Sequence, residues 1–295
     1  MANSFADLKK SRSQALEKLT GELSKLGNKE EGKKSYEDDR FWKPMVDKAG
    51  NGMATIRFLP SPEGEDMPWI QLFSHSIQGP TGQWLIDNCL TTINQKCPVC
   101  EHNTVLWNSG IEANKEIVRK QKRKLQYIAN IYVVKDPANP DNDGKVFLFK
   151  FGKKIFDKLN DLMNPEFEDE APVNPFDLWE GANFKLKIRK VEGYQNYDKS
   201  EFDKPSPLSK DDDDLERIWK SEHKLNEFLD KSNFKSYNQI KERLNVVLGI
   251  AAATTAIAAA PIEKPVTKSA PVTKTAADDD DDEDLSYFEK LTEED

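Results

Sequence analysis

The chain has 295 residues, 37% hydrophobic and 32% charged, with a formal charge of −9. That length can bury a substantial core in one or two domains, but so polar a composition leaves part of the chain outside any packed core. It has no apolar run of membrane-spanning length and no amino-terminal hydrophobic block of a secretory signal, which predicts a soluble cytoplasmic protein whose few thiols serve metal binding rather than disulfides.

Residues 4–26 read as an amphipathic helix, with Phe5, Leu8, Leu16, Leu19, Leu23 and Leu26 at three-and-four spacing and Gly27 as its stop. Near its start stands the run Lys9, Lys10, Ser11, Arg12, Ser13, which suits either a solvated face or an arm that docks on a neighbouring molecule or on phosphates. A polar connector follows and ends in Ala49-Gly50-Asn51-Gly52, a turn that launches the first core strand, Met53 to Leu59. There Ala54, Ile56 and Phe58 alternate with Thr55 and Arg57. Trp69 to Phe73 and Gln83 to Asp87 read as two further short strands.

All three cysteines lie in the next stretch: Cys89, and the knuckle Cys97-Pro98-Val99-Cys100. Thiolates at this spacing, completed by an imidazole, are a zinc-type ligand set, and four protein ligands close the site to water, so the centre reads as structural. Ser74-His75-Ser76 ends an apolar run at a suitable loop length from Cys89, which favours His75. His102, two residues beyond Cys100, competes for the fourth place, and His223 reads as a surface residue on a helix.

After the knuckle, Glu101 to Asn114 reads as a short helix and turn. Six basic residues then follow, Lys115, Arg119, Lys120, Lys122, Arg123 and Lys124, against Glu116 alone. They lead into a strand, Tyr127 to Val134, whose hairpin partner is Lys145 to Phe151. In that partner Phe147, Phe149 and Phe151 share a face, with Lys150, Lys153 and Lys154 close by. Ile155 to Met163 reads as a short helix, and Phe184 to Val191 as a strand with Phe184, Leu186 and Ile188 inward and Lys185, Lys187 and Arg189 outward. Its turn carries Tyr194 and Tyr197. Asp211 to Asp214 supply acid at the start of a helix Leu215 to Leu229, where the helix dipole favours it, and a last helix spans Tyr237 to Leu248.

Residues 249–276 have the Ala, Thr, Pro and Lys composition of a flexible linker. Residues 277–295 hold eleven carboxylates against one lysine, a net −10, so the other 276 residues carry +1. The global charge therefore hides the basic clusters. Leu285, Tyr287, Phe288 and Leu291, set among the carboxylates, suit a disordered, partner-binding tail.

Clustered lysines neutralise phosphates, and aromatic faces give unpaired bases something to stack on, a combination that points to single strands. Phe147 and Phe151 read as core, whereas Trp107, Tyr127, Phe149, Tyr194 and Tyr197 adjoin basic clusters and are the stacking candidates. Short strands with inserted loops suit an OB-type barrel. A zinc-dependent hydrolase would need an open metal position or a carboxylate–histidine cluster, and neither is visible. A zinc-bearing adaptor that recruits proteins through its acidic tail is the alternative reading.

The motifs Ala129-Asn130-Ile131, Val133-Val134-Lys135-Asp136-Pro137, Gly144-Lys145-Val146-Phe147, Phe151-Gly152-Lys153-Lys154-Ile155 and Trp179-Glu180-Gly181-Ala182-Asn183-Phe184 resemble the single-stranded DNA-binding proteins of T-even-type bacteriophages, the helix-destabilising family. Ile56-Arg57-Phe58-Leu59-Pro60 and the order His, Cys, Cys-x-x-Cys are similar too, and the resemblance covers about residues 45–200. It implies an α+β fold with a mainly β, OB-fold core at 27–248, an inserted structural zinc subdomain at about 70–115 and a helical C-terminal part. It further implies one Zn2+ held by His75, Cys89, Cys97 and Cys100, and no enzymatic activity. The expected function is cooperative, sequence-non-specific coating of single-stranded DNA in phage replication, recombination and repair, in the cytoplasm of the infected host. The family's cleft aromatics match Tyr127, Phe149, Tyr194 and Tyr197, with Trp107 a looser match; Phe149 stands where a tyrosine is usual and Tyr194 where a phenylalanine is. The basic run of residues 1–26 is expected to mediate head-to-tail self-association. The acidic tail is expected to recruit a polymerase, helicase loader and recombination mediator.

Overall fold

The structure, a computed structural model, describes residues 38–167 and 169–250. The amino-terminal helix and its basic run, most of the linker, and the acidic tail therefore lie outside the described residues. The chain divides into two compact units, 1–41 and 42–295, with a two-residue strand, Phe41–Trp42 (β1), at their junction. The elements below belong to the second unit.

Its core is a mainly β assembly in an α+β chain, as expected. Strand β2 (Gly52–Phe58) pairs antiparallel with β5 (Lys124–Lys135) and β7 (Phe184–Val191). Strands β3 (Trp69–Gln78) and β4 (Trp84–Asn88) form a hairpin, and β3 also pairs with β5. Strand β6 (Val146–Phe151) lies along β5, while β8 (Tyr194–Asn196) and β9 (Glu201–Phe202) pair with β7. The 12-residue β5 is the spine. Residues 124–129 pair with β3 and residues 131–135 with β2, both on the edge opposite β6.

Asn130 sits at that fork, fully buried. Its carbonyl accepts from Leu59 N at 3.0 Å, its Nδ2 donates to His223 O at 2.8 Å, and its Oδ1 accepts from His223 N at 2.9 Å. A buried amide with its donor and acceptor both engaged fixes a unique arrangement where two strands diverge.

Alternation explains most strands. Phe184, Leu186 and Ile188 are buried in β7, while Lys185, Lys187 and Arg189 face outward and pair with Asp203, Glu201 and Asp198. Arg57 breaks the pattern. Alternation sets it beside Thr55 on the face opposite Ala54, Ile56 and Phe58, yet it has no exposed surface. Its Nε donates to Asn183 Oδ1 at 2.9 Å, Nη1 to Asp177 O at 3.2 Å and Nη2 to Ser206 O at 2.8 Å. Burial pulls its pKa down, and the nearby Asp177 charge offsets part of that pull.

Five α-helices are described. Pro98–Asn108 (α1) and Glu112–Gln121 (α2) replace the expected short helix and turn, and they put Lys115, Arg119 and Lys120 on a helix. Lys153–Met163 (α3) packs Ile155 and Leu159 into the core. Tyr237–Leu248 (α5) starts with a Ser236–Gln239 capping box, and its Ile240, Leu244 and Val247 bury against Ile77 and Leu85 of the β3–β4 hairpin. Gly79 permits this approach, because a Cβ there would stand 1.9 Å from Val247 O.

The expected helix Leu215 to Leu229 is two pieces, α4 (Asp212–Lys220) and a 3-10 turn, Asn226–Leu229. Side chains from elsewhere capture the backbone between them. His223 N is held by Asn130, and Leu225 N and Asn226 N each donate to the Glu65 carboxylate at 3.0 Å. These tertiary bonds replace the intrahelical ones. His223 is consequently half-buried and outside any helix, not a surface helical residue. No helix among the described residues is long and apolar enough to cross a membrane.

Glu222, in the same break, is half-buried, with both carboxylate oxygens shielded from water and without a hydrogen-bond partner. Burial, with the neighbouring Glu65 charge, raises its pKa to about 9. A folded-state pKa above the unfolded value means that stability falls as pH rises from about 4.5 toward 9, since only the unfolded chain readily releases this proton. Glu222→Gln should therefore unfold at higher urea than the parent at pH 8 and at nearly the same urea at pH 4. Equal midpoints at both pH values would show that Glu222 carries no such penalty.

Candidate metal centre and nucleic-acid cleft

Three adjacent elements converge on the cysteines. His75 comes from β3, Cys89 from just past β4, Cys97 from the N-cap of α1 and Cys100 from its first turn. All four are buried, and their ligand atoms lie within 4.8 Å of one another. His75 Nε2 is 3.3 Å from Cys97 Sγ and 3.7 Å from Cys100 Sγ, and the Cys89 and Cys100 sulfurs are 3.5 Å apart. A tetrahedral ion with metal–sulfur bonds of about 2.3 Å needs ligand atoms about 3.7 Å apart, so this donor set can hold a metal ion. His102, on α1, is not part of the group.

The protonation pattern agrees. Burial alone would push the His75 imidazolium down, but its contacts with the Cys89 and Cys97 sulfurs outweigh burial and raise it to about 9. Hydrogen bonds from Cys100 and Cys89, with His75 adding to them, push the Cys97 thiol down, whereas the contacts with Cys89 and Cys97 push Cys100 up. Thiolate and imidazole donors must lose their protons to bind an ion, so acid should favour metal loss.

A second feature is a cleft of about 700 Å3 between the β5–β6–α3 layer and the β7–β8 hairpin. Lys124 enters it from the start of β5, Lys150 from β6 and Lys154 from the first turn of α3. Lys190 and Lys48 face them. Five lysines against Asp47 and Glu192 make the lining basic. Tyr194 and Tyr197 stand on the hairpin side, Tyr194 36% exposed and Tyr197 partly packed on the core. The hairpin turns tightly at Glu192 (φ 52°) and Gly193 (φ 95°), both in left-handed backbone that suits a two-residue loop. Arg189 braces it from outside, with Nε donating to Asp198 Oδ1 at 2.8 Å.

Of the residues singled out from sequence, the structure brings Lys124, Lys150, Lys154, Tyr194 and Tyr197 into this cleft. The others lie elsewhere. Tyr127 is only 4% exposed and stacks on Phe156 at 4.0 Å, while Phe149 is 3% exposed with Trp42 at 5.3 Å and Phe151 at 5.4 Å. Both rings are core: β5 and β6 turn them onto the face that α3 and β2 cover, leaving no open side for a base. Phe151 is buried too, as read, and Phe147 is half-buried. Lys153 is engaged with Asp157 at 2.9 Å.

Trp107 sits on α1 under Lys115 and Arg119, at 5.3 and 5.7 Å from its ring centroid, and Arg119 also binds Glu112 and Glu116. These three, with Lys120, Lys122 and Arg123, do not line the cleft. Sequence reading missed Lys190 and Lys48. Lys190 could have been found as the last cation before the tyrosine turn, whereas Lys48 has no local signal in its polar connector.

Comparison with known proteins adds an independent line. A family model described as gp32 DNA binding protein like matches residues 50–248. The single-stranded DNA-binding protein of Enterobacteria phage T2 is 42% identical over 242 residues, spanning 79% of this chain and 78% of that one. Its counterpart from Enterobacteria phage T4 is 41% identical over 243 residues, 79% of each chain. A third such protein, from Enterobacteria phage RB70, is 41% identical over 114 residues, 37% of this chain and 92% of that one.

Cys97→Ala removes one ligand and should lower metal content, read by elemental analysis, together with a fall in Tm on the order of 10 °C. A variant that melts like the parent would show that the cluster does not stabilise the fold through a metal.

Proposed function

This chain belongs to the gp32 DNA binding protein like family, and from that premise we propose that it binds single-stranded DNA cooperatively and without sequence preference, coating and protecting it during phage replication, recombination and repair. The observation that carries this reading is the cleft, where lysines from four separate elements converge beside two tyrosines on a braced hairpin. Lysines tracking a backbone supply affinity through counterion release, and tyrosine faces add roughly 1–3 kcal/mol per stacked base regardless of its identity. Nothing in that recognition reads a base edge, which suits a protein that must coat any sequence.

We read the sheet, in which β5 serves β2, β3 and β6 at once, as an OB-type barrel. The ion is zinc, by the affinity of three thiolates and an imidazole, and its role is structural, since four protein ligands fill the tetrahedron. The residues bind and position, and no chemical step is assigned to them. Residues 1–26 with Lys9, Lys10 and Arg12 serve head-to-tail self-association along the strand. The core of 27–248 holds the DNA. Residues 249–276 are the tether for the acidic segment 277–295, which recruits replication and recombination proteins in the infected host's cytoplasm. The charge pattern and the family resemblance support these assignments.

Alanine at Lys154 or Lys190 should each weaken binding to oligo(dT) and reduce the slope of log K against log salt by about 0.7, the value for one phosphate contact on a single strand. Tyr194→Ala should weaken binding with the slope unchanged. If both lysine variants keep the parental slope, the strand does not run through this cleft.

A further inference from the structure

The sequence places Arg123 within a basic run and so among the DNA contacts, but the structure turns it inward to 9% exposure. Its guanidinium lies 3.9 Å from the centroid of the Phe73 ring, and Nη1 donates to Thr91 Oγ1 at 2.8 Å. Thr91 Oγ1 stands 3.1 Å from Cys89 Sγ. A hydroxyl that accepts from a guanidinium can still give its own proton, and the sulfur is within reach of it. The two contacts therefore form a relay from a permanent positive charge, through one hydroxyl, to a ligand atom.

The charge of the centre gives this relay a consequence. A divalent ion with three thiolates and a neutral imidazole carries a net charge of about −1. His75, Cys89, Cys97 and Cys100 are each no more than 4% exposed, so water does little to stabilise that charge. Arginine keeps its proton across the accessible pH range and supplies a fixed counter-charge. Support from the opposite side is weaker, because His75 Nδ1, the atom through which metal-binding histidines are usually anchored, has no hydrogen-bond partner. The outer support of the site falls on the Cys89 side.

We propose that Arg123, acting through Thr91, is a positioning residue for the metal centre that fixes the place of the Cys89 sulfur and slows loss of the ion, and that it is not a DNA contact. The inference rests on the metal reading above. It also links the two features of the molecule, since Lys124, the next residue, enters the cleft and pairs with Ser74 beside the ligand His75.

The test uses the full-length protein loaded with zinc and three variants, Thr91→Val, Arg123→Met and Arg123→Lys. Zinc release into an excess of a chromogenic chelator is followed together with the salt slope of oligo(dT) binding. Thr91→Val, which keeps the side-chain shape, and Arg123→Met should release zinc about 10–100-fold faster than the parent, with Arg123→Lys between, because it keeps the charge but loses the planar fork. The slope of Arg123→Met should match the parent's. Release at the parental rate from both Thr91→Val and Arg123→Met would overturn the proposal. So would a slope reduced by about 0.7 in Arg123→Met with parental zinc release, which would make Arg123 a phosphate contact. A parent protein with no zinc to release would overturn the metal reading and this proposal with it; zinc held equally by parent and variants would overturn this proposal alone.

Discussion

The fold depends on a single strand that must satisfy neighbours on both edges. β5 pairs with β6 on one side and, on the other, with β3 along its first half and β2 along its second. At the change of partner, Asn130 spends its side-chain amide on the backbone of residue 223 and its carbonyl on Leu59 N. A ladder that changes partners leaves polar groups stranded unless something else bonds them, and a buried stranded group costs about 1–3 kcal/mol. Asparagine, carrying a donor and an acceptor on one short plane, meets that need. The same contact ends the regular structure after α4, so one constraint on the sheet also shapes the chain almost a hundred residues later.

The His–Cys cluster and the cleft are both placed from the start of β5. The β3 residues paired with the start of β5 lead directly to His75, and β4 leads to Cys89, so sheet register brings two ligands to a helix that carries the other two. The same start of β5 delivers Lys124 to the cleft, and the neighbouring β6 delivers Lys150. α5 closes one face of this cluster, with Ile240, Leu244 and Val247 packed in the same core as Ile77, Leu85 and the three cysteines. Four of the five cleft lysines therefore stand on strands or a helix start, the placement that holds side chains to a fixed geometry, and Lys48 comes from a loop.

Local pattern carried far in this sequence, and its failures share a cause. β7 and α5 match their expected bounds because strict alternation and a capping box are local signals. The ligand cluster was legible for a similar reason, since the knuckle fixes two donors and few other donors remain. What local pattern misses is burial imposed from a distance. Arg57 looks solvent-facing until the loop through Asp177 and Asn183 covers it, and Phe149 and Tyr127 look like stacking rings until α3 and β2 close over them. In the basic run the sign of the charge was plain, but which of its members would face the cleft depended on tertiary placement, since α2 carries Lys115, Arg119 and Lys120 away from it and Phe73 and Thr91 engage Arg123. Lys48 reaches the cleft through tertiary placement, which no window of sequence contains.

Equilibrium binding by the full chain tests the cleft's role most directly. Tryptophan fluorescence titrated with oligo(dT) and with a matched duplex, at several salt concentrations, should show tight binding to the single strand, little to the duplex, and log K falling by about 0.7 per phosphate contact against log salt. Equal affinity for single strand and duplex at low salt, in protein that retains its metal, would contradict it and leave the acidic segment, rather than the cleft, as the part of the molecule that meets a partner.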